Sequence, residues 1–136
     1  MIKQLWINLP VKNAERSKEF FIKMGFKLNE HYSNSNSASL IVGEKNIVLM
    51  LFEEAAFKGF TGSGIADVSQ SAEVLFSIDA ESKEEVDEMA RKAIAAGGSS
   101  NHKPSEMQGF MYGCLFMDPD GHRWNVLYMD MSKMPK

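Results

Sequence analysis

The stretch GCLFMDPDGHRWNVLYMD, residues 113–130, sets alternating apolar runs on either side of Asp118-Pro119-Asp120-Gly121. Pro119 presets φ for the second turn position, the Asp118 carboxylate can hold nearby backbone N–H groups, and Gly121 tolerates φ > 0. Four turn residues between alternating runs read as a β-hairpin. In its second strand Trp124, Val126 and Tyr128 share one face, and Arg123, Asn125 and Leu127 the other. The first set is a core face. The second mixes a base, an amide and an apolar side chain, which suits the wall of a ligand cavity.

Outward from the hairpin, Ser99 to Gly109 is turn-rich. Before it, Ser82 with Glu85 three residues on makes a capping box. The helix it opens carries Val86, Met89, Ala90, Ala93 and Ile94 on one stripe and closes at Gly97-Gly98. A strand, Glu73 to Ile78, precedes it, with Val74, Phe76 and Ile78 on one side and Glu73, Leu75 and Ser77 on the other. The same order stands at the start of the chain. Lys3 to Val11 alternates, with Leu5, Ile7, Leu9 and Val11 opposed to Trp6, Asn8 and Pro10. Asn13 is a good N-cap for a helix from Ala14 to Met24, whose Ser17, Phe20, Phe21 and Met24 point inward, and Gly25-Phe26 closes it. A strand from Phe26 to Tyr32 and a polar turn, Ser33 to Ser37, follow. Ala38 to Val42 and Asn46 to Phe52 then pair around Gly43-Glu44-Lys45, with Val48, Met50 and Phe52 on one side of the latter strand and Ile47, Leu49 and Leu51 on the other. Glu53 to Ser71 breaks the periodicity; its glycines are mixed with Phe57 and Phe60, which marks a linker that packs against something.

Strand, capped helix, glycine stop and further strands thus occur twice, and an internal repeat of this kind outranks any single motif. The fold expected is α+β: two βαβββ modules in one domain over 1–136, module one about 1–53, a linker at 54–71 and module two about 72–136. With 136 residues, 44% hydrophobic and 24% charged, no disulfide or metal is required for folding. A net charge of −3 gives no basic footprint for nucleic acid. No apolar run approaches the roughly 18 residues of a membrane span, and the first residues lack the pattern of a signal peptide. Cys114 is the single cysteine. Together these point to a cytoplasmic protein.

Leu9-Pro10-Val11-Lys12-Asn13 with Arg16-Ser17 and Phe20-Phe21, then Gly25-Phe26, then Gly109-Phe110-Met111-Tyr112-Gly113 running into Asp118-Pro119-Asp120-Gly121-His122, resemble the glyoxalase/bleomycin-resistance/extradiol-dioxygenase family, the vicinal oxygen chelate superfamily. The resemblance covers nearly the whole chain. It implies paired modules whose curved sheets form a cup with helices outside, usually in a homodimer. Metal enzymes of the family place one ligand on each of four strands. Carried over, those positions fall on Trp6, on Val48 or Met50, on Glu73 and on Asn125. Only Glu73 is a strong ligand type, so no metal and no other cofactor is expected.

Glu73 is the candidate catalytic residue: on a cavity wall beside Leu75 and opposite Trp6 and Met50, its carboxylate would be desolvated and basic. Asn8 and Asn125 could orient a carbonyl, Arg123 could clamp a carboxylate, and Trp6 could stack on a ring. Met50 and Tyr112 complete the candidate ligand-binding set. His122, in the turn, is assigned a surface or packing role, and Cys114 a buried, inert one. A small-molecule binder, or a metal-independent lyase or isomerase, is the first expectation. The alternatives are a drug-sequestering protein of the bleomycin-resistance kind and a metal-dependent glyoxalase or dioxygenase. Nucleic acid and membrane are not expected as partners.

Overall fold

Alternation in the first strand sorts its side chains as the sequence implies. In β1 (Trp6–Val11) Leu9 and Val11 are buried while Trp6 and Asn8 are exposed. The computed structural model describes residues 1–134, which form two units, Met1–Asp67 and the chain from Val68 onward. The first unit continues with α1 (Ala14–Lys23), β2 (Lys27–Leu28), β3 (Ser37–Val42), β4 (Ile47–Glu53) and α2 (Glu54–Thr61). The second holds β5 (Leu75–Asp79), α3 (Lys83–Ala95), β6 (Ser105–Met107), β7 (Met111–Met117) and β8 (Arg123–Met129). The sheets run β1-β4-β3-β2 and β5-β8-β7-β6. In each, the first strand lies parallel to the last and the other neighbours are antiparallel. The fold is α+β, with two open four-stranded sheets and the βαβββ order in both units.

Both module helices begin on the expected caps. The Asn13 side chain accepts from the Arg16 N–H at 3.1 Å, and the Ser82 hydroxyl from the Glu85 N–H at 3.1 Å. A donor at the start of α1 is also met from far along the chain, since Ala14 N–H donates to Glu53 Oε2 at 3.0 Å. The first-turn N–H groups of a helix have no partner within it, so each such acceptor stabilises the end. At the other end Gly25 takes φ 90°, and Phe26 N–H closes back to the Phe21 carbonyl at 2.9 Å. Phe20, Phe21 and Ser17 of α1 are buried, as are Val86, Ala90 and Ala93 of α3. Ile94 departs from its expected place. It is 59% exposed, because the buried stripe of α3 ends at Ala93.

Four boundaries also differ from expectation, the first being β6 (Ser105–Met107), a strand within the stretch 99–109 expected as turns. The strand foreseen over 26–32 is only Lys27–Leu28, followed by a 3₁₀ turn at Glu30–Tyr32. After Leu28 the run Asn29-Glu30-His31 offers no apolar residue to bury. The linker foreseen over 54–71 opens instead as α2, ended by Gly62 at φ 69°. Phe57 and Phe60 stand three apart and share a helix face, and the Phe60 ring meets Phe52 edge-on at 4.9 Å. Finally, β5 begins at Leu75, where pairing with Arg123 begins, and leaves Glu73 in the bend before it.

The core of the second unit is built on β8. Trp124 is 1% exposed, with Phe76 4.9 Å away and Phe116 stacked at 6.1 Å. The turn before it is tied from inside by a buried carboxylate. Asp118 Oδ1 accepts from the Asp120 and His122 N–H groups, and Oδ2 accepts from Trp124 Nε1 at 3.3 Å. Burial pushes the Asp118 carboxyl up, to about 6, against the opposing pull of His122 and the Trp124 donor. His122 is buried and packs within the turn. Cys114 is buried too, and desolvation raises its thiol to about 11, which keeps it protonated and unreactive at neutral pH.

Candidate functional site

In the first unit, strand register brings together residues far apart in the chain. Trp6 stands opposite Val48, and Asn8 opposite Met50. Ser39 of β3 pairs with Met50 from the other side, so Asn8, Met50 and Ser39 form a row across the sheet. This face is the one turned away from Leu9, Leu49, Leu51 and the α1 core, since neighbours along a strand point to opposite sides. Over it lies a cleft of about 690 Å³, within the range of small-molecule sites. Trp6, Val48, Met50, Phe52 and Phe60 supply its apolar wall. Gln4, Asn8, Asn29, Tyr32 and Ser39 supply its polar groups.

Of the candidates named from the sequence, Trp6, Asn8 and Met50 therefore meet at one cleft. Ser39, Asn29, Tyr32, Phe52 and Phe60 belong to it and were not foreseen as site residues. A signal existed for Ser39: in β3 the polar Ser37 and Ser39 alternate with the apolar Ala38 and Leu40.

The second-unit candidates take other positions. Glu73 is exposed in the bend ahead of β5 rather than placed on a strand face. Arg123 donates through Nη1 to the backbone carbonyls of Val68 (2.7 Å) and Ser71 (3.5 Å). Its guanidinium satisfies the connector's carbonyls rather than standing free to clamp a ligand. Tyr112 shares the helix side of its sheet with Cys114, and its hydroxyl donates to Asp87 Oδ1 at 2.5 Å. That bond pushes the phenol up to about 12. It does not share the face of Asn125, because positions of opposite parity on paired strands point to opposite sides. Asn125 is half-buried between Ser77 and Leu115.

The chain belongs to the glyoxalase/bleomycin resistance protein/dioxygenase superfamily, whose family model matches residues 3–126. Among solved structures, a hypothetical protein from S. aureus is 32% identical, with 94% of this chain and 95% of that one covered and a TM-score of 0.83. A glyoxalase-related enzyme from Fulvimarina pelagi is 19% identical over 94% and 88%, with a TM-score of 0.79. A genomically encoded fosfomycin resistance protein from Listeria monocytogenes, solved with Mn(II) and a sulfate ion, is 20% identical over 98% and 95%, with a TM-score of 0.68. The last two show likeness of fold. No curated protein matches the sequence.

The metal set of the superfamily can be tested against the side chains present. The positions carried over hold Trp6, Val48 or Met50, Glu73 and Asn125, and an indole, an aliphatic or thioether chain and an amide are poor ligands for a divalent ion. Asn125 stands opposite Ser77, and Glu73 lies four residues ahead of Ser77, roughly 13 Å of extended chain. Among the described residues no group of three His, Cys, Asp or Glu side chains is arranged to hold a metal. The donor set does not fit. No helix of the described residues is long and apolar enough to cross a membrane.

Proposed function

We propose that this chain is a small-molecule-binding member of the superfamily that works without the four-strand metal set and receives its ligand in the cleft of the first unit. The convergence of Trp6, Asn8 and Met50 on one cleft of about 690 Å³ carries this reading. Lyase or isomerase chemistry would need a general base at the cleft, and the described residues lining it include no carboxylate, histidine or lysine. Binding is thus favoured over turnover. Sequestration of a cationic drug is disfavoured by the absence of a carboxylate among the residues lining the cleft.

The test is native mass spectrometry on protein purified without chelator, alongside the variant Met50→Trp, which fills the cleft floor. The expected outcome is a co-purified small molecule on the wild type, lost from a folded Met50→Trp, with no stoichiometric metal. A ligand retained by the variant would reject the cleft as its site.

A homodimer belongs to the same proposal. Leu5 and Leu75 are each more than half exposed in the single chain, and apolar surface of this kind is commonly covered by a partner. Sedimentation should give a dimer at micromolar concentration, and a monomer there would refute it.

A further inference from the structure

The second unit carries a groove of its own, about 460 Å³ in volume, between α3 and the loop 100–104. Asp87, Ala90, Arg91 and Ile94 line it from the helix, at the i, i+3, i+4 and i+7 spacing of one helix face. His102 and Lys103 line it from the loop. That loop is tied to the sheet, since Ser100 Oγ donates to the Leu115 carbonyl at 2.7 Å.

The charges in this groove are arranged unusually. Asp87 and Arg91 stand at the spacing, and in the order, that normally forms an ion pair along a helix. The next such pair does form, with Glu88 and Lys92 3.4 Å apart. Asp87 is engaged from the sheet instead, where the Tyr112 hydroxyl donates to its Oδ1 at 2.5 Å. Among the described residues Arg91 and Lys103 have neither an ion-pair nor a hydrogen-bond partner. Arg91 and Lys103 against Asp87 leave the lining one net positive charge with His102 neutral, on a chain whose own net charge is −3.

An apolar side chain stands beside that charge. Ile94, one turn after Arg91, is 59% exposed. A guanidinium takes a carboxylate through two parallel N–H bonds, and burying an exposed isoleucine under an alkyl tail is favourable in its own right. Leu75, the second-unit residue assigned above to a partner, pairs with Arg123 and alternates with Phe76 beside Trp124. It therefore lies on the sheet face opposite the one that α3 covers through Tyr112 and Cys114.

From these we infer that the groove is a second ligand site, which takes an organic monocarboxylate with an apolar tail. Arg91 and Lys103 hold the acid group and Ile94 the tail. The site does not depend on the reading of the first-unit cleft. One net positive charge matches a carboxylate better than a doubly charged phosphate.

Isothermal titration calorimetry on the full chain tests it with octanoate, octylammonium and acetate, each kept below any micelle-forming concentration. Octanoate is expected to bind at least tenfold tighter than octylammonium, which shares its tail, and than acetate, which shares its charge. Arg91→Gln and Ile94→Ser alter exposed side chains, so both should fold with an unchanged melting temperature while each weakens octanoate at least fivefold. Octanoate failing to bind at millimolar concentration, either other probe binding within tenfold of it, or unchanged octanoate affinity in either variant overturns the inference. So does conversion of a dimer to a monomer by Ile94→Ser in sedimentation, which would make this face an interface between copies of the chain.

Discussion

Counting from the first register pair of each sheet, the row Asn8, Met50 and Ser39 in the first unit corresponds to Ser77, Asn125 and Leu115 in the second. One step along, Ser37 beside Phe52 corresponds to Gly113 beside Leu127. The same topology thus carries different surfaces on the same face of the sheet. In the first unit the row leaves the Ser39 hydroxyl without a partner under a cleft. In the second, Leu127 and Met107 close over Gly113 so tightly that a Cβ there would stand 2.7 Å from Leu127 Cδ2 and 2.8 Å from the Val126 carbonyl oxygen. The two tryptophans repeat the contrast: Trp6 is 56% exposed at the cleft and Trp124 is 1% exposed in the core. A duplicated fold lets one copy serve as scaffold while the other keeps its face open, because burial is decided by side chains and hydrogen bonding by the shared backbone.

The tryptophan pair gives the largest test of that contrast. Trp124→Ala should cost about 3–5 kcal/mol of stability, as deletion of a large core ring does, and should also strand the Asp118 carboxylate. Trp6→Ala should change stability by no more than about 0.5 kcal/mol yet weaken binding in the cleft. Denaturant melts of both variants check the first part, and native mass spectrometry of the co-purified ligand the second. Equal destabilisation by the two would erase the distinction between scaffold and open face.

Next comes the pH response of the second unit. With its folded pKa raised from 3.8 to about 6, Asp118 binds its proton more tightly in the folded state. Its contribution to stability is therefore fully present below about pH 4, falls as pH rises toward 6 and is level above that. A shift of this size corresponds to roughly 2–3 kcal/mol. Asp118→Asn keeps an acceptor for the Asp120 and His122 N–H groups and should flatten the stability profile across that window. A profile still sloping as in the wild type would assign the effect to another group.

The smallest expected effect belongs to Gly113→Ala. The crowding by Leu127, Met107 and the Val126 carbonyl predicts a loss of about 1–2 kcal/mol by overpacking, read as a lower denaturation midpoint. The corresponding Ser37→Ala in the first unit should cost less, since it removes an atom and adds none. If Gly113→Ala is neutral, the second face is looser than its geometry implies.

Much of the fold was legible because its signals are local. Asn13 and Ser82 as caps, Gly25 and Gly97 as stops, and the Asp118–Gly121 turn each act within a few residues, where propensity and hydrogen bonding decide the outcome. The alternation that put Trp6, Asn8 and Met50 on one side of their strands was correct for the same reason. The site was less legible. Asp118 reads as an ordinary turn residue until Trp124 is seen to donate to it, and a turn acid looks the same in sequence whether wet or buried. Glu73 lost its place on the strand because pairing with β8 starts at Leu75, a matter of register between segments far apart in the chain. Arg123 was spoken for by carbonyls fifty residues earlier.

By itself, the sequence determined the repeated strand and capped helix, the closing hairpin and the core faces. Those are properties of residue type and spacing. Only the tertiary structure decided that Asn8, Met50 and Ser39 stand in one row, and that Trp6, Asn8 and Met50 meet at one cleft. Those depend on which strands pair and in what register, and long-range pairing is settled by the packing of the whole unit rather than by any stretch of it.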